Sequence, residues 1–379
     1  MTFRCVFQSE GELRWLGEPD AVLRARSRAE LQQLQASVEQ ALAGDFCFAA
    51  GILPYEAGAQ LQGLTAAPYS AWVYLYKDAP GRNEPGDPRA TETKPASFAL
   101  TSAFQPEQTR NDYLDSLARI RDYLRAGDCY QVNLAQRFST RFRGSTLEAW
   151  LALQQAHPAP HSCFFKNEDG SSVFGVSPER FLSIRNRQVI TEPIKGSRPR
   201  GRTPKEDDFL ADELQANPKD QAENLMIVDL LRNDLGISCE SGSIQASPLF
   251  ELRRFSNVQH LVSTITGTLK ADVTPLQALF SAFPGGSITG APKKRAMEII
   301  AELEPVPRGA YCGSFFWMDD QGNLDSNILI RTLQTEGDNL YCHGGGGIVF
   351  DSEPEAEYEE SCFKVAKLMG ALEERFLSL

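Results

Sequence analysis

One stretch of the chain combines a lysine with two prolines and two glycines: Thr191-Glu192-Pro193-Ile194-Lys195-Gly196-Ser197-Arg198-Pro199-Arg200-Gly201. Its single lysine, Lys195, stands between two prolines that stiffen the backbone and just before a glycine that leaves room beside the amine. A lysine held in a partly buried pocket has a lowered pKa, so its amine can act as a nucleophile. The alternative is an exposed loop with a solvated lysine, and this stretch alone leaves both open.

The composition is that of an ordinary globular protein. The chain has 379 residues, 42% hydrophobic and 23% charged, which suits two domains or one large α/β or α+β domain. The net charge is -12, and no block of lysine and arginine interrupts it, so we expect no nucleic-acid partner. An anionic substrate would need local cations and backbone N–H groups to hold it.

Neither a signal peptide nor a membrane span is expected. The first residues lack a basic region followed by an apolar run, and no stretch reaches the roughly 18 apolar residues that a span requires. The eight cysteines are scattered, without C-x-x-C pairs or zinc spacing. We therefore expect free thiols and a cytoplasmic protein.

Hydrophobic periodicity predicts several elements. A capping box at Ser27 starts a helix, and Phe46–Leu53 and Ala71–Tyr76 suit strands. A further helix is expected to stop at Gly127, followed by a strand over Tyr130–Phe138. A Pro/Gly-rich segment, 79–96, is the best candidate for a linker.

Two predicted helices carry acidic side chains on one face. The first offers Asp220 and Glu223, three residues apart; the second offers Glu357, Glu360 and the basic Lys364 after a capping box at Ser352 and Glu355. Oxygen ligands without histidine or cysteine favour Mg²⁺, which keeps waters and takes one or two carboxylates directly. Solvated helix faces are the alternative.

Two glycine clusters and one arginine suit the binding of carboxylates. The loop Phe283–Lys293 contains Gly285, Gly286 and Gly290 and leads into a helix, whose N-terminus favours an anion. It is not a P-loop. A second cluster, 344–347, follows a predicted strand and could cradle another carboxylate, and Arg331 lies in a strand-like apolar run. Tight turns are the alternative for both clusters.

Glu179 and His260, at the edges of apolar strands, are candidate general acids or bases.

Together these stretches resemble the chorismate-utilising enzymes, a family that includes anthranilate synthase component I, aminodeoxychorismate synthase component I, and isochorismate and salicylate synthases. The matching motifs run from Gly127 to Lys364. The resemblance implies an α+β fold of two large antiparallel β-sheets packed face to face with helices outside. It also implies a single fold over residues 1–379, to which 1–96 contribute strands and in which 105–379 form the chorismate-binding core.

Two positions distinguish branches of this family. Members that add water carry a lysine where this chain has Gln131, so the glutamine resembles the members that add an amine. Anthranilate synthases typically have Pro-Ile-Ala-Gly-Thr at Pro193–Ser197, and a lysine at the third position is typical of the aminodeoxychorismate synthase branch. Ser197 keeps the hydroxyl of the usual threonine.

The resemblance also implies a role for each matching residue. The catalytic residues would be Lys195, Glu179 and His260. The Mg²⁺ ligands would be Glu223 and Glu360, with Glu357 and Asp220 holding metal-bound waters. Chorismate would be bound by a larger set: Gln131, Gly286, Ser287, Thr289, Gly290, Tyr311, Arg331, Gly345, Gly346 and Lys364.

The implied reaction adds an amine to chorismate. Lys195 would attack C2 while Glu179 protonates the departing 4-hydroxyl, and ammonia would then attack C4 and expel Lys195. The product, 4-amino-4-deoxychorismate, leads to 4-aminobenzoate and folate. Ammonia would come from a separate glutaminase subunit, since no Cys–His–Glu glutaminase domain is visible. The Leu-Leu-Glu-Ser element of tryptophan-regulated members is absent, so we expect no tryptophan inhibition.

Two alternatives remain at this point. One is anthranilate synthase component I, against which Lys195 argues. The other is a non-catalytic metabolite-binding subunit on the same scaffold. Such a subunit should have lost the acid, the nucleophile or the metal ligands, whereas this chain keeps Glu179, Lys195 and the acidic pairs.

Overall fold

The computed structural model describes residues 3–82, 97–254 and 258–377. Within these ranges the helices are α1 Arg28–Leu42, α2 Tyr55–Leu61, α3 Arg110–Ala126, α4 Thr146–Ala156, α5 Pro204–Ala216, α6 Pro218–Ser238, α7 Pro275–Ala282, α8 Lys293–Leu303 and α9 Pro354–Phe376. A short 3-10 helix spans Gly286–Ile288.

The strands of the same ranges alternate with these helices along the chain. They are β1 Cys5–Ser9, β2 Glu12–Leu16, β3 Ala21–Ala25, β4 Phe48–Leu53, β5 Ala71–Tyr76, β6 Gly81–Arg82, β7 Ala99–Leu100, β8 Gln105–Pro106, β9 Gln131–Arg143, β10 His161–Lys166, β11 Ser172–Ser177, β12 Arg180–Arg185, β13 Gln188–Thr191, β14 Ile194–Pro199, β15 Gln245–Ala246, β16 Glu251–Arg254, β17 Val258–Val262, β18 Ile265–Thr268, β19 Gly290–Ala291, β20 Ser314–Asp319, β21 Leu324–Asn327, β22 Thr332–Glu336 and β23 Asn339–Ile348.

Three sheets organise the described chain. The first has 11 strands in the order β19-β9-β23-β22-β11-β10-β1-β2-β6, with β7 and β8 also paired to β9. The second has nine, in the order β15-β18-β13-β12-β21-β20-β4-β5-β3, and the third has three, β14-β17-β16. The long pair β9 and β23 is antiparallel over ten residue pairs, from Asn339 opposite Arg141 to Ile348 opposite Val132. The predicted class, α+β with two large antiparallel sheets, is confirmed.

Aromatic and aliphatic side chains fill the space between the two large sheets. Phe7 of β1 contacts Phe48 of β4 and Phe315 of β20, and Tyr74 of β5 stacks on Phe165 of β10 at 4.5 Å. On the outer face of the first sheet, α4 and α9 bury their apolar sides. On the outer face of the second sheet lie α1, α2 and α7. Helices therefore cover both outer faces, as the resemblance implied.

The local predictions hold with small shifts of boundary. Ser27 accepts a hydrogen bond from Glu30 N as the N-cap of α1, and Gly127 ends α3 in the left-handed conformation. The strand expected over Phe46–Leu53 is β4, and the one expected over Ala71–Tyr76 is β5. The strand expected over Tyr130–Phe138 extends to Arg143 because it pairs with β23 from Val132 to Arg141 and with β7 at its last two residues.

The first 82 residues contribute to both large sheets. Strands β1 and β2 pair in the first sheet and β3 to β5 in the second. Most of the predicted linker, 83–96, lies outside the described residues, and the boundaries at 96 and 105 remain predictions. In the parts of the chain that the structure describes, no helix is long and apolar enough to cross a membrane. All eight cysteines are free thiols, as expected.

Candidate active site

Lys195 lies on a bulged strand of the third sheet. Strand β14 pairs with β17, and the register shifts between Lys195 and Ser197, so that Gly196 is the extra residue. Gly196 has a φ of 80°, which glycine adopts without strain. A β-carbon there would meet Leu214 at 3.0 Å and Asp220 at 3.1 Å. The glycine therefore serves the bulge and its close packing on Leu214 and Asp220, and the expectation that it leaves room beside the amine stays a prediction.

Lys195 is half-buried. Burial lowers its pKa, and the neighbouring charge of Lys364 acts in the same direction, while the carboxylates of Glu223, Glu179 and Glu360 oppose the shift. All four charges therefore surround one pocket. A lysine in this setting has a larger neutral fraction near neutral pH than an exposed one.

Glu179 lies immediately before β12 and is 6% exposed. Its carboxylate accepts a hydrogen bond of 2.8 Å from the hydroxyl of Ser287. Burial raises the pKa of Glu179 to about 7, although Ser287, Lys195 and Lys364 favour the ionised form. At neutral pH this carboxyl can both donate and accept a proton, which is what a general acid and base requires.

His260 lies on β17 behind the lysine. Its Nδ1 is 2.7 Å from the hydroxyl of Ser197. Burial and the charge of Arg331 lower the pKa of His260 to about 4, against an opposing hydrogen bond to the backbone of Gly196. The ring is therefore neutral near pH 7, and it contacts the bulge that carries Lys195.

The acidic pairs of α6 and α9 face the same pocket. Burial raises the pKa of Glu223, and Asp220 and Glu360 add to the rise, while Lys195 opposes it. Burial and the charge of Glu360 likewise raise the pKa of Glu357. Glu223 and Glu357 are thus held near other carboxylates against electrostatic repulsion, and a cation between them would reduce that repulsion.

The side chains of α9 are arranged around Lys364. Its amine lies 2.6 Å from Glu360 Oε1 and donates to the carbonyl of Gly345 at 3.0 Å. The predicted capping box at the start of α9 is wrong, because Glu353 is the N-cap and the hydroxyl of Ser352 accepts from Val349 N instead. Ser352 also bonds the carboxylate of Glu357.

The four carboxylates suit Mg²⁺ in kind, but they are not assembled as a coordination sphere. Among the described residues, no three acidic, histidine or cysteine side chains come close enough to hold a metal ion. Mg²⁺ needs only one or two carboxylates and keeps its waters. The carboxylates therefore fit a metal held by Glu223 and Glu360. Glu360 would have to give up its ion pair with Lys364 to bind the metal.

The first glycine cluster packs more tightly than a turn requires. A β-carbon at Gly286 would lie 2.4 Å from Leu230, and one at Gly290 would lie 2.1 Å from the carbonyl of Gln131. The hydroxyl of Thr289 donates to Gly285 O at 3.0 Å. Ser287 and Thr289 thus use their hydroxyls within the protein, and Ser287 reaches the pocket through Glu179.

The second glycine cluster, 344–347, is part of a strand and not a tight turn. It continues β23, paired with β9 at every position. A β-carbon at Gly344 would lie 2.2 Å from Ser361 O of α9, one at Gly346 would lie 3.3 Å from Glu357, and one at Gly347 would lie 2.7 Å from Gln131 Nε2. The glycines let α9 approach the sheet and keep the floor of the pocket open. The side-chain amide of Gln131 is buried with its Nε2 unpaired within the described structure.

Arg331 and Tyr311 lie outside the strands. Arg331, expected in a strand, stands in the connection between β21 and β22 with a φ of 50°. Burial lowers the pKa of its guanidinium, which has no hydrogen-bond or ion-pair partner among the described residues. Tyr311 is buried and stacks on His343, with ring centres 5.0 Å apart.

One residue that links the glycine-rich loop to the first sheet by hydrogen bonds was not predicted from the sequence. Arg308 is 2% exposed, and its guanidinium donates to Ile288 O at 3.0 Å, to Asn133 O at 2.8 Å and to Glu304. Glu56 of α2 accepts from the backbone N of Arg308. The spacing of four residues between Glu304 and Arg308 was the available signal. A second buried pair, Lys293 with Asp234 at 2.7 Å, was also missed.

The site thus combines a half-buried amine, a carboxyl with a pKa near neutrality, clustered carboxylates, and donors of Arg331 and Gln131 that find no partner within the described ranges. An amine beside a general acid can displace a hydroxyl group. Cationic and amide donors suit a substrate with carboxylates. The arrangement therefore suits chemistry on a small molecule that carries carboxylates.

Comparison with known proteins identifies the family of this chain. A family model described as chorismate binding enzyme matches residues 3–370. Aminodeoxychorismate synthase component 1 of Klebsiella aerogenes is 49% identical over 278 residues, which cover 73% of this chain and 61% of that protein. Anthranilate synthase component 1 of Geobacillus stearothermophilus is 40% identical over 276 residues, which cover 73% of this chain and 54% of that protein. The chain spans about three fifths of the length of the first of these curated relatives.

Two solved structures resemble the fold. Anthranilate synthase component I from Streptococcus pneumoniae has a TM-score of 0.77 and 26% identity, covering 97% of this chain and 90% of that one. The menaquinone-specific isochorismate synthase of Escherichia coli has a TM-score of 0.77 at 19% identity, covering 98% and 89%, and that likeness concerns the fold alone. On the family match, the fold and the motifs together, this chain belongs to the chorismate binding enzymes.

Proposed function

We propose that the protein is an aminodeoxychorismate synthase component 1, a transferase that converts chorismate and ammonia to 4-amino-4-deoxychorismate. The observation that carries the proposal is the half-buried amine of Lys195, with a lowered pKa, in one site with Glu179, whose pKa is raised to about 7. The relatives at 49% identity bear this name. They support the choice over anthranilate synthase, whose relatives here are 40% identical.

The first step forms a covalent adduct. The neutral amine of Lys195 attacks C2 of chorismate, the ring double bonds shift, and the bond from C4 to its hydroxyl breaks. Glu179 gives its proton to the departing hydroxyl, which leaves as water. The nitrogen of the adduct keeps its proton, so Lys195 can leave as a neutral amine in the second step. The neutral carboxyl of Glu179 suits this role because its pKa is near the working pH.

The second step releases the lysine. Ammonia attacks C4, the double bonds shift back, and the bond between C2 and Lys195 breaks, with the ionised Glu179 accepting a proton from the new amine. Two displacements leave the amine at C4 with overall retention. The neutral His260 bonds Ser197 and holds the bulge that aims Lys195.

The substrate carboxylates have separate candidate partners. Arg331 and Lys364 offer charge, and the unpaired amide of Gln131 can donate to an oxygen of the ring substituents. A Mg²⁺ ion held by Glu223 and Glu360, with Asp220 and Glu357 bonding its waters, would neutralise the ring carboxylate. Gly345 and Gly346 leave room for the substrate on the sheet, and a glutaminase partner would supply ammonia.

Product analysis tests this proposal. The purified chain is mixed with chorismate, Mg²⁺ and an ammonium salt, with and without an aminodeoxychorismate lyase. We expect a 4-amino product that the lyase converts to 4-aminobenzoate. Fluorescent anthranilate would contradict the assignment to C4. If there is no turnover even after a glutaminase partner is added, the enzymatic assignment is wrong.

The variant Lys195→Ala tests the covalent route in the same assay. Without the amine, ammonia can reach C2 directly, so we expect 4-amination to fall by roughly 100-fold or more and 2-amination to appear. Lys205→Ala, a lysine on the exposed start of α5, is the matched control and should leave the products unchanged. Formation of the 4-amino product at the wild-type rate by Lys195→Ala would rule out the adduct.

A further inference from the structure

The strand that carries Lys195 leaves the second sheet at a bend. Strand β13 ends at Thr191 in the second sheet, and β14 begins at Ile194 in the third. The partner strands β17 and β18 separate beside this bend, where Ser263 N donates to Pro193 O at 3.3 Å. Glu179 precedes β12 of the second sheet, so the two proposed reacting groups belong to different sheets.

One carboxylate spans this bend. Glu192 accepts from Arg180 Nη1 at 2.6 Å with one oxygen and from Arg253 Nη1 at 2.7 Å with the other. Arg180 lies on β12 of the second sheet, and Arg253 lies on β16 of the third. Glu192 is thus bonded simultaneously to both sheets.

The bridge lies close to both reacting groups along the chain. Arg180 directly follows Glu179, and Glu192 precedes Lys195 by three residues. The carboxylate of Glu192 is 16% exposed, so solvent screens the pairs less than it screens surface pairs. Burial alone would raise the pKa of Glu192, but the two arginines outweigh it and lower the pKa. The carboxylate is therefore ionised at neutral pH.

We propose that Glu192 is a positioning residue, which by bridging Arg180 and Arg253 sets the placement of the Lys195 amine relative to the Glu179 carboxyl. The proposal rests on the proposed function, in which these two groups act on one substrate. A planar guanidinium holds a carboxylate in a fixed direction, so two of them restrain Glu192 from both sides of the bend. Misplacing a reacting group by about 1 Å can reduce turnover by roughly 100-fold.

The chain provides a matched control in Asp325. This carboxylate is the other partner of Arg180, with Nε to Oδ1 at 3.2 Å, and it is as shielded as Glu192. It lies on β21, beside β12 in the second sheet. Asp325→Asn therefore removes an ion pair of Arg180 within one sheet and leaves the bridge across the bend intact.

The test compares Glu192→Gln with Asp325→Asn in the full chain. Hydrogen exchange of the backbone amides of 194–198 reports whether β14 is restrained, and it does not depend on activity. We expect exchange there to become about 10-fold faster or more in Glu192→Gln and to change little in Asp325→Asn. For chorismate amination we expect kcat to fall by roughly 10- to 100-fold in Glu192→Gln with KM within about 3-fold.

Each outcome decides the proposal. Equal exchange in the two variants would overturn it, and so would faster exchange in Glu192→Gln with an unchanged kcat. If Glu192→Gln does not fold, the shorter Glu192→Asp, which reaches only one arginine, should show the same changes at intermediate size. If the wild-type chain makes a product other than the 4-amino compound, the proposed function is wrong. The role of Glu192 is then still tested, by hydrogen exchange and by turnover to that other product.

Discussion

At the scale of single residues, the site depends on two titratable groups whose pKa values are moved toward each other. Burial lowers the pKa of Lys195 and raises that of Glu179 to about 7. Each group therefore approaches the neutral form that the proposed first step needs, a free amine and a protonated acid. The sequence identified both residues as candidates, but it could not predict the burial that shifts their pKa values.

The raised pKa of Glu179 predicts a pH-dependent stability. Its ordinary value is 4.5 and its value in the folded protein is about 7, so the folded state holds this proton more tightly. The resulting stability is fully present below about pH 4.5 and is lost as pH rises through about 7. We expect Glu179→Gln, which cannot ionise, to gain roughly 3 kcal/mol relative to wild type between pH 4.5 and 7.5.

Urea unfolding at several pH values measures this difference directly. Glu107→Gln, which removes an exposed carboxylate paired with Arg137, is the control and should show no such gain over this range. A constant difference in the free energy of unfolding between wild type and Glu179→Gln at all pH values would show that the pKa of Glu179 is not raised.

At the scale of elements, the glycines of β23 allow α9 to lie directly on the sheet. A β-carbon at Gly344 would meet the backbone carbonyl of Ser361 at 2.2 Å, and a helix backbone yields less than a side chain does. Glu357, Glu360 and Lys364 project from the helix that this contact places. The sequence predicted the glycine cluster as part of the site but did not show that it belongs to a strand, because its pairing with β9 depends on residues about 200 positions away.

Gly344→Ala is therefore expected to displace α9. We predict a loss of roughly 1–3 kcal/mol in the free energy of unfolding together with weaker chorismate binding, measured by urea unfolding and by KM. Gly370→Ala on the same helix meets nothing within 4 Å and should stabilise by roughly 0.5–1 kcal/mol. Equal effects of the two substitutions would show that α9 does not need the close approach.

At the scale of the whole molecule, Arg308 connects parts of the chain that are distant in sequence. Its bonds reach Asn133 on the first sheet, Ile288 in the glycine-rich loop and Glu304, and Glu56 of α2 holds its backbone. We predict that Arg308→Met, which leaves Glu304 buried without its ion-pair partner, lowers the free energy of unfolding by roughly 3–5 kcal/mol.

Arg295→Met on α8 is the matched control for that prediction. Its pair with Asp128 is much more exposed, so its removal should change stability by about 0–1 kcal/mol. Urea unfolding of both variants makes the comparison. A similar small loss in both would mean that the Arg308 network does not link the sheet to the loop energetically.

The sequence by itself determined the local elements, and its motifs carried the family resemblance that implied the fold class and the candidate residues of the site. Local spacing sets the elements because capping residues, alternation and glycine positions act over a few residues, as at Ser27 and Gly127. Only the tertiary structure decided that Gly344–Gly347 form a strand, that Arg331 lies in a connection, and that Ser352 does not cap α9. It also brought Glu192 between two arginines and Arg308 beneath the loop. Those features arise from pairing and burial between distant segments, and no local pattern in the chain encodes which segments will meet.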